Sequence, residues 1–122
     1  MFNRRNDWRT LVDALPHVRA TDLKPGDLIA HRGRVGFDEA GGRPVIRIEI
    51  NEDEGYVRIM QPYLNPRYEG EESPSRAEAQ QLIALLPPYW PVGVTRPLTL
   101  TDVAAARAHV GARAIEAKEA QR

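Results

Sequence analysis

Apolar and polar residues alternate in the first half of the chain, and this period of two predicts β-strands. The segments "PVIRIEI" at 44–50 and "YVRIM" at 56–60 both alternate, and the polar run "NEDEG" separates them. Two alternating runs joined by a short polar loop are typical of an antiparallel hairpin. Before them, "LKPGD" predicts a turn, "DLIAHRGRV" a further strand and "FDEAGGRP" a loop. We therefore predict a β core over residues 22–61.

The remaining segments predict helices separated by proline-rich connections. Residues 1–20 form an N-terminal helix and linker, and residues 62–74 form a loop with three prolines. In the next segment, 75–87, Ser75 and Glu78 have the spacing of a capping box, which favours a helix. A Pro/aromatic segment then covers 88–98, and a terminal helix covers 99–122, with Thr99 or Thr101 as its N-cap.

These elements predict an α+β fold within a single domain of residues 1–122. The predicted architecture is a small antiparallel sheet or a partly open barrel, with one N-terminal helix and two C-terminal helices. A chain of 122 residues is long enough to bury one hydrophobic core.

Composition removes several classes of function. The chain has no cysteine, which excludes disulfides, thiolate nucleophiles and cysteine-based metal sites. It has 17 basic and 17 acidic residues, so its net charge gives no general attraction to nucleic acid or to anionic membranes. No apolar run approaches the ~20 residues of a membrane span, and the N-terminus lacks a secretory signal pattern. We expect a protein of the cytoplasm, or of a particle assembled there, that does not bind membranes.

Catalytic chemistry has little support in the sequence. The only serines, Ser73 and Ser75, fall at the predicted start of a helix, where capping explains them. The three histidines are His17, His31 and His109, and their spacing does not suggest a metal pair. No phosphate-binding loop is present, and the hairpin loop "NEDEG" does not match a calcium loop. We predict no enzymatic activity, no catalytic residues, no metal and no cofactor.

A protein-binding surface is the first interaction hypothesis. Tyr89 and Trp90 lie in "PPYWP", and the terminal helix carries few large apolar residues among eight alanines between 104 and 120. Its apolar stripe is narrow enough to let another helix approach closely. The predicted partner-binding residues are Tyr89, Trp90, Val103, Ala106, Val110, Ala114 and Ala117. Packing of this stripe along the chain's own helix at 76–86 is an equally favoured alternative.

A nucleic-acid-binding surface is the second interaction hypothesis. Five arginines of the predicted sheet would gather on one side with a tyrosine, which suits phosphate contact and base stacking. These residues are Arg32, Arg34, Arg43, Arg47, Tyr56 and Arg58. The alternative is that outward strand positions are simply polar, and Glu49 partly cancels their charge.

The β core also resembles a known class of small barrel. "LKPGDLIAHRGRVGF", followed by "PVIRIEI" and "YVRIM", looks like the first strands of an SH3-like barrel. "GDLIAHRG" is similar to the Gly-Asp, apolar, basic, Gly pattern of KOW modules, and the likeness covers residues 22–60. KOW modules contact nucleic acid, ribosomes or RNA polymerase, so the resemblance implies a partly open SH3-like barrel with a binding role.

These observations together predict a non-enzymatic accessory or adaptor protein. It would bind a protein partner, or a second copy of itself, through its Pro/aromatic segment and its C-terminal helix. Two alternatives stay open: a nucleic-acid-binding regulator that uses the sheet arginines, and a structural subunit of a larger, phage-like assembly.

Overall fold

A computed structural model describes residues 11–34 and 38–120, and these residues form two α-helices and eight short β-strands. The helices are α1 (Leu11–Ala14) and α2 (Leu100–Ala120). The strands are β1 (His17–Arg19), β2 (Leu28–Arg32), β3 (Glu39–Pro44), β4 (Arg47–Asn51), β5 (Tyr56–Pro62), β6 (Glu72–Glu78), β7 (Leu82–Ala84) and β8 (Thr95–Pro97). Two short 3-10 turns cover Ala20–Asp22 and Pro66–Tyr68.

The strands form three small antiparallel sheets, with the orders β1-β7, β2-β3-β8 and β4-β5-β6. The chain passes from the second sheet to the third at two adjacent residues. The N–H of Val45 donates to the carbonyl of Asp27, whereas the N–H of Ile46 donates to the carbonyl of Met60, both at 2.8 Å. The prediction of a single small sheet or a partly open barrel is therefore wrong, because the described strands divide into three sheets and do not close into a barrel.

Strand β2 lies between two hydrophobic clusters, because consecutive side chains of a strand point to opposite faces. Leu28 belongs to a first cluster with Trp90, and Ile29 belongs to a second cluster with Val57. Leu85 and Leu86 are divided between the clusters in the same way. The first cluster also contains the beginning of α2, and this contact fixes the helix against the β-strands.

The helix predicted over 75–87 is absent, and this is the main error in the predicted fold. Residues 72–78 instead form β6, which pairs along its whole length with β5, and residues 82–84 form β7, which pairs with β1. Ser75 lies opposite Ile59 in this register rather than capping a helix. Backbone pairing and burial of Ala77 and Ile83 in the second cluster outweigh the local helix propensity. The protein therefore has one C-terminal helix, not two.

The predicted loop at 37–44 is also wrong where the structure describes it, because residues 39–44 form the central strand β3. Two glycines make this strand difficult to recognise in the sequence. An added Cβ at Gly41 would lie 2.7 Å from Oγ1 of Thr95, and one at Gly42 would lie 3.0 Å from Cδ1 of Leu86. Glycine suits both positions because the side chains of Thr95 and Leu86 approach the backbone of β3 closely, and close approach is a recognised role of glycine within strands.

Three elements follow the predictions. The hairpin between β4 and β5 forms, with Arg47 opposite Met60 and Asn51 opposite Tyr56. The terminal helix forms and begins after Thr99, whose hydroxyl accepts the N–H of Asp102 at 3.2 Å. Of the N-terminal helix, residues 11–14 are helical, and the earlier positions lie outside the described residues.

Candidate functional site

Three of the predicted partner-binding residues belong to the protein's own core. Trp90, Val103 and Ala106 are buried together in the first cluster, where they pack with Leu28 and Leu86. These side chains stabilise the fold and have no surface to offer a partner. The alternative of packing along a helix at 76–86 is wrong, because that helix is absent; the beginning of α2 packs instead on α1 and on β-strands.

A hydrogen-bonded network joins the Pro/aromatic segment to the first turn of α2. Tyr89 donates its hydroxyl to Oδ1 of Asp102 at 2.5 Å, and Arg96 donates to Oδ2 of the same carboxylate at 3.2 Å. The guanidinium of Arg96 also lies 3.8 Å from the ring centroid of Trp90, within cation–π distance. The indole N–H of Trp90 donates to the carbonyl of Val94 at 3.1 Å. Tyr89 keeps an exposed ring, but its polar end is already bonded.

The Asp102 carboxylate is buried and ionised. Burial raises its pKa, but hydrogen bonds from Tyr89, Arg96 and Thr99 outweigh burial and lower the pKa from 3.8 to about 2. Thr99 also donates its backbone N–H to Oδ2 at 2.9 Å, which completes a reciprocal cap with the Asp102 N–H. The network holds α2 in place and has the properties of a structural element, not of a reactive site.

The apolar stripe of α2 changes its environment along the helix. Val103 and Ala106 are buried, Val110 is half-buried and Ala114 is exposed. Ile115, on another side of the helix, is 60% exposed. The side chain of Ala117 lies outside the described part of the chain. The stripe is therefore covered at its beginning and uncovered at its end.

A groove of about 620 Å³ lies along the uncovered end of the stripe. We call it the helix groove. One wall is α2 and the other is the segment from β1 to the turn before β2. Its lining residues are Val18, Arg19, Thr21, Asp22, Leu23, Lys24, Val110, Arg113, Ala114 and Lys118. The half-buried Val18 and Val110 provide apolar surface above the buried Leu23, so the helix groove combines an apolar floor with a charged rim.

The helix groove is basic, whereas the whole chain has no net charge. Its lining contains four basic residues and one acidic residue, Asp22, which gives a formal charge of +3. Arg113 is held at the base by Asp27 at 2.7 Å and by the carbonyl of Asp22 at 3.0 Å. If Asp27 is included in the count, the charge is still +2. Lys24 and Lys118 have no ion-pair partner among the described residues.

The six residues predicted to bind nucleic acid are divided between the second and third sheets and the segment after β2. Arg47, Tyr56 and Arg58 lie on the outward face of the third sheet, where the acidic residues Glu49 and Glu72 accompany them. Arg47 forms ion pairs with Glu49 and Glu72, and Arg58 lies 3.8 Å from Glu49. The face is a mixture of both charges, with Arg76 stacked 3.7 Å from the ring centroid of Tyr56.

Of the other three arginines, Arg32 and Arg43 belong to the second sheet and Arg34 follows β2, and each has its own contacts. Arg32 at the end of β2 pairs with Asp13, and Arg34 pairs with Glu39 at 3.0 Å. The hydrogen bond from Arg34 lowers the pKa of Glu39. Arg43 donates to the carbonyl of Pro62 at 2.8 Å. Arg32 and Arg34 are thus paired with carboxylates, and Arg43 is bonded to the backbone of β5.

Groups of possible metal ligands and membrane-spanning helices are both absent from the described residues. No group of three or more His, Asp or Glu side chains there is arranged to hold a metal ion. His31 lies opposite Gly41 in the β2–β3 register, two residues from Arg43 along β3, and its pKa is lowered mainly by burial and also by the charge of Arg43. Among residues 11–34 and 38–120, no helix combines the length and the apolarity needed to cross a bilayer.

Comparison of the chain with models of protein families, with curated proteins and with solved structures gave no match. The interpretation therefore depends on the geometry. The helix groove is the feature that sequence reasoning missed. Its two unpaired lysines, Lys24 and Lys118, are the only lysines of the chain, but 94 positions separate them in the sequence. Only the position of α2 beside the 18–24 segment brings them to the same groove.

Proposed function

We propose that the protein is a non-enzymatic accessory or adaptor protein that binds a protein partner through the distal half of α2. One observation carries the proposal. The apolar stripe that is part of the core at Val103 and Ala106 is still half-buried at Val110, and at Ala114 the described residues no longer cover it.

The length of α2 supports this role. Its 21 residues correspond to roughly 30 Å, close to the diameter of a small domain. Between residues 114 and 118 every described side chain is exposed, so this end of the helix does not stabilise the fold by burial. The exposed residues Tyr89, Val92 and Val94 extend the apolar surface near the other end of the helix, on the Pro/aromatic segment.

Protein binding is favoured over nucleic-acid binding by the charges of the sheet. The arginines that would contact phosphate are paired with carboxylates or bonded to backbone, and pairing reduces their attraction for a polyanion. An apolar stripe, in contrast, suits contact with another protein.

Affinity capture from an extract of the native cells tests the proposal. The tagged full-length chain is compared with Ala114→Arg and Ile115→Arg, with and without nuclease. Deleting α2 would remove Val103 and Ala106 from the core, so point substitutions at exposed positions are the better test. Leu82→Arg is a matched control, because Leu82 is 63% exposed on a different element, β7.

We expect a nuclease-resistant protein partner that the wild type and Leu82→Arg retain and that Ala114→Arg loses. Capture that is insensitive to both α2 substitutions would refute the proposal. Loss of all capture after nuclease treatment would favour the nucleic-acid alternative instead. Sedimentation of the purified chain distinguishes a foreign partner from a second copy, because self-association would depend on concentration and on Ala114.

A further inference from the structure

The helix groove has the composition of a docking site for a particular kind of peptide. Val18 and Val110 provide an apolar floor with Leu23 buried beneath it, Arg113 lies at the base, and Arg19, Lys24 and Lys118 are the other basic residues of the lining. The surface of the α2 wall is small at Ala114, so another backbone can approach it closely. An apolar floor attracts apolar side chains, whereas the basic rim selects a ligand of negative charge.

From this complementarity we infer that the helix groove binds an acidic, amphipathic helix of the partner protein. The inference rests on the proposed function, and it names the chemistry of the partner. The α2 wall runs from Val110 to Lys118, a length of about 12 Å or roughly two helical turns. Apolar residues of the bound helix at positions i, i+3 or i+4, and i+7 would contact the floor, and glutamates or aspartates beside them would face the rim.

The basic residues of the helix groove include one arginine that the protein holds in place and two lysines that are exposed. Arg113 is fixed at the base by the Asp27 carboxylate and by the Asp22 carbonyl, so its position does not depend on a ligand. Lys24 on one wall and Lys118 on the other are exposed and without ion-pair partners among the described residues. These two ammonium groups provide the charge that is available to a partner.

Other occupants fit the helix groove less well. The chain's own first ten residues contain three arginines and one aspartate, so their charge repels the basic rim. A single-stranded nucleic acid would match the charge but would gain little from the aliphatic floor, which has no aromatic ring for base stacking. An acidic helix satisfies the floor and the rim together.

Titration of the isotope-labelled full chain with a designed peptide tests the inference. The peptide is an amphipathic helix of about 16 residues, with leucine on one face and glutamate on the others. One control peptide has the same composition with the leucines scrambled, and a second replaces glutamate with lysine. Amide resonances of residues 18–24 and 110–118 report binding at the helix groove.

We expect the acidic amphipathic peptide to shift these resonances, and the two control peptides to leave them in place. Lys24→Glu combined with Lys118→Glu should weaken the affinity about tenfold or more, because two attractive charges become repulsive. Arg67→Glu combined with Arg76→Glu changes the net charge equally at exposed positions away from the groove, and should bind like the wild type.

Three results would overturn the inference. The first is that the acidic peptide causes no shift, and the second is that the scrambled or basic peptide binds equally well. The third is that a single-stranded oligonucleotide binds the helix groove instead of the peptide, and that Lys24→Glu with Lys118→Glu weakens this binding. The capture assay separates this failure from that of the proposed function. If Ala114→Arg abolishes capture but the double lysine variant does not, the adaptor proposal stands and the acidic helix is wrong. If Ala114→Arg and Ile115→Arg both capture the partner as the wild type does, the adaptor proposal itself fails.

Discussion

Arg113 of α2 and Asp27 of the turn before β2 form a buried ion pair, with 2.7 Å between Nη1 and Oδ1. The arginine side chain is only 16% exposed and the aspartate only 8%. The second oxygen of Asp27 accepts the N–H of Lys24 at 2.9 Å, so one carboxylate connects the turn with the helix. The pair attaches α2 to the turn before β2 at the base of the helix groove.

Substitution of Arg113 by methionine should destabilise the fold strongly. Methionine keeps much of the length of the side chain but leaves the buried carboxylate of Asp27 without its counter-charge. We expect a loss of about 3 kcal/mol in the free energy of unfolding, the low end for a broken buried pair, because the Lys24 N–H still satisfies one oxygen. Urea unfolding measures the loss. Arg67→Met at an exposed loop position is the control, and an equal effect of both substitutions would contradict the role of the pair.

Asp102 should make stability depend on pH in the acid range. Its folded pKa of about 2 lies below the ordinary 3.8, so the ionised form is favoured by folding. The stabilisation, about 2 kcal/mol, is present above the unfolded pKa near 4 and is lost as pH falls toward 2. Asp102→Asn lacks this contribution. The difference in unfolding free energy between wild type and Asp102→Asn should therefore be constant near neutral pH and shrink between about pH 4 and pH 2.

The prediction for Asp102 is contradicted if the difference in unfolding free energy between the wild type and Asp102→Asn stays constant from about pH 4 to pH 2. Asp53→Asn, at an exposed position of the hairpin loop, provides the comparison for an ordinary surface substitution. If the unfolding free energies of Asp102→Asn and Asp53→Asn depend on pH in the same way, the hydrogen bonds around Asp102 do not lower its pKa in solution.

Tyr89 should ionise at a higher pH than an ordinary tyrosine. The hydrogen bond that its hydroxyl donates to Asp102 raises its pKa, and burial and the charge of Asp102 act in the same direction. The bond stabilises the fold below pH ~10 and is lost as pH rises through the folded pKa. Absorbance titration of the phenolate should thus show a late step that is missing in Tyr89→Phe. The same variant should lose about 1 kcal/mol of unfolding free energy at neutral pH.

The parts of the fold that could be predicted from the sequence are those whose local pattern and tertiary role agree. The β4–β5 hairpin alternates, and α2 has a cap at Thr99 and continuous helix formers. The segment 75–87 has a local helical pattern, but Ala77 and Ile83 are buried by strands distant in the sequence. Strand β3 was missed because Gly41 and Gly42 are selected for backbone approach rather than for strand propensity.

The candidate site was predictable only in part, for a related reason. The stripe of α2 is visible in the sequence, but which end of it is covered depends on where Trp90 and Leu28 pack. Lys24 and Lys118 line the same groove because α2 lies against the 18–24 segment, where the Arg113–Asp27 pair joins residues 86 positions apart. Contacts of such separation leave no periodic signal in a single sequence.

Two glycine-to-alanine substitutions should change stability in opposite directions, because the added methyl group meets different surroundings. At Gly111 nothing lies within 4 Å of the added Cβ, and the residue is in the middle of α2. Alanine is a better helix former than glycine, so Gly111→Ala should raise the free energy of unfolding by about 1 kcal/mol. This residue does not mark a close helix crossing among the described residues.

At Gly42 the same methyl group would lie 3.0 Å from Cδ1 of Leu86 and 3.3 Å from Cδ1 of Trp90. Both neighbours are buried in the first cluster and cannot move without disturbing the packing against α2. Gly42→Ala should therefore lower the free energy of unfolding by about 1 to 3 kcal/mol, the usual cost of overpacking. Urea unfolding of the two variants under identical conditions gives the comparison. If Gly42→Ala were as stabilising as Gly111→Ala, β3 could not lie against Trp90 as closely as the structure has it, and the anchoring of α2 by the first cluster would have to be revised.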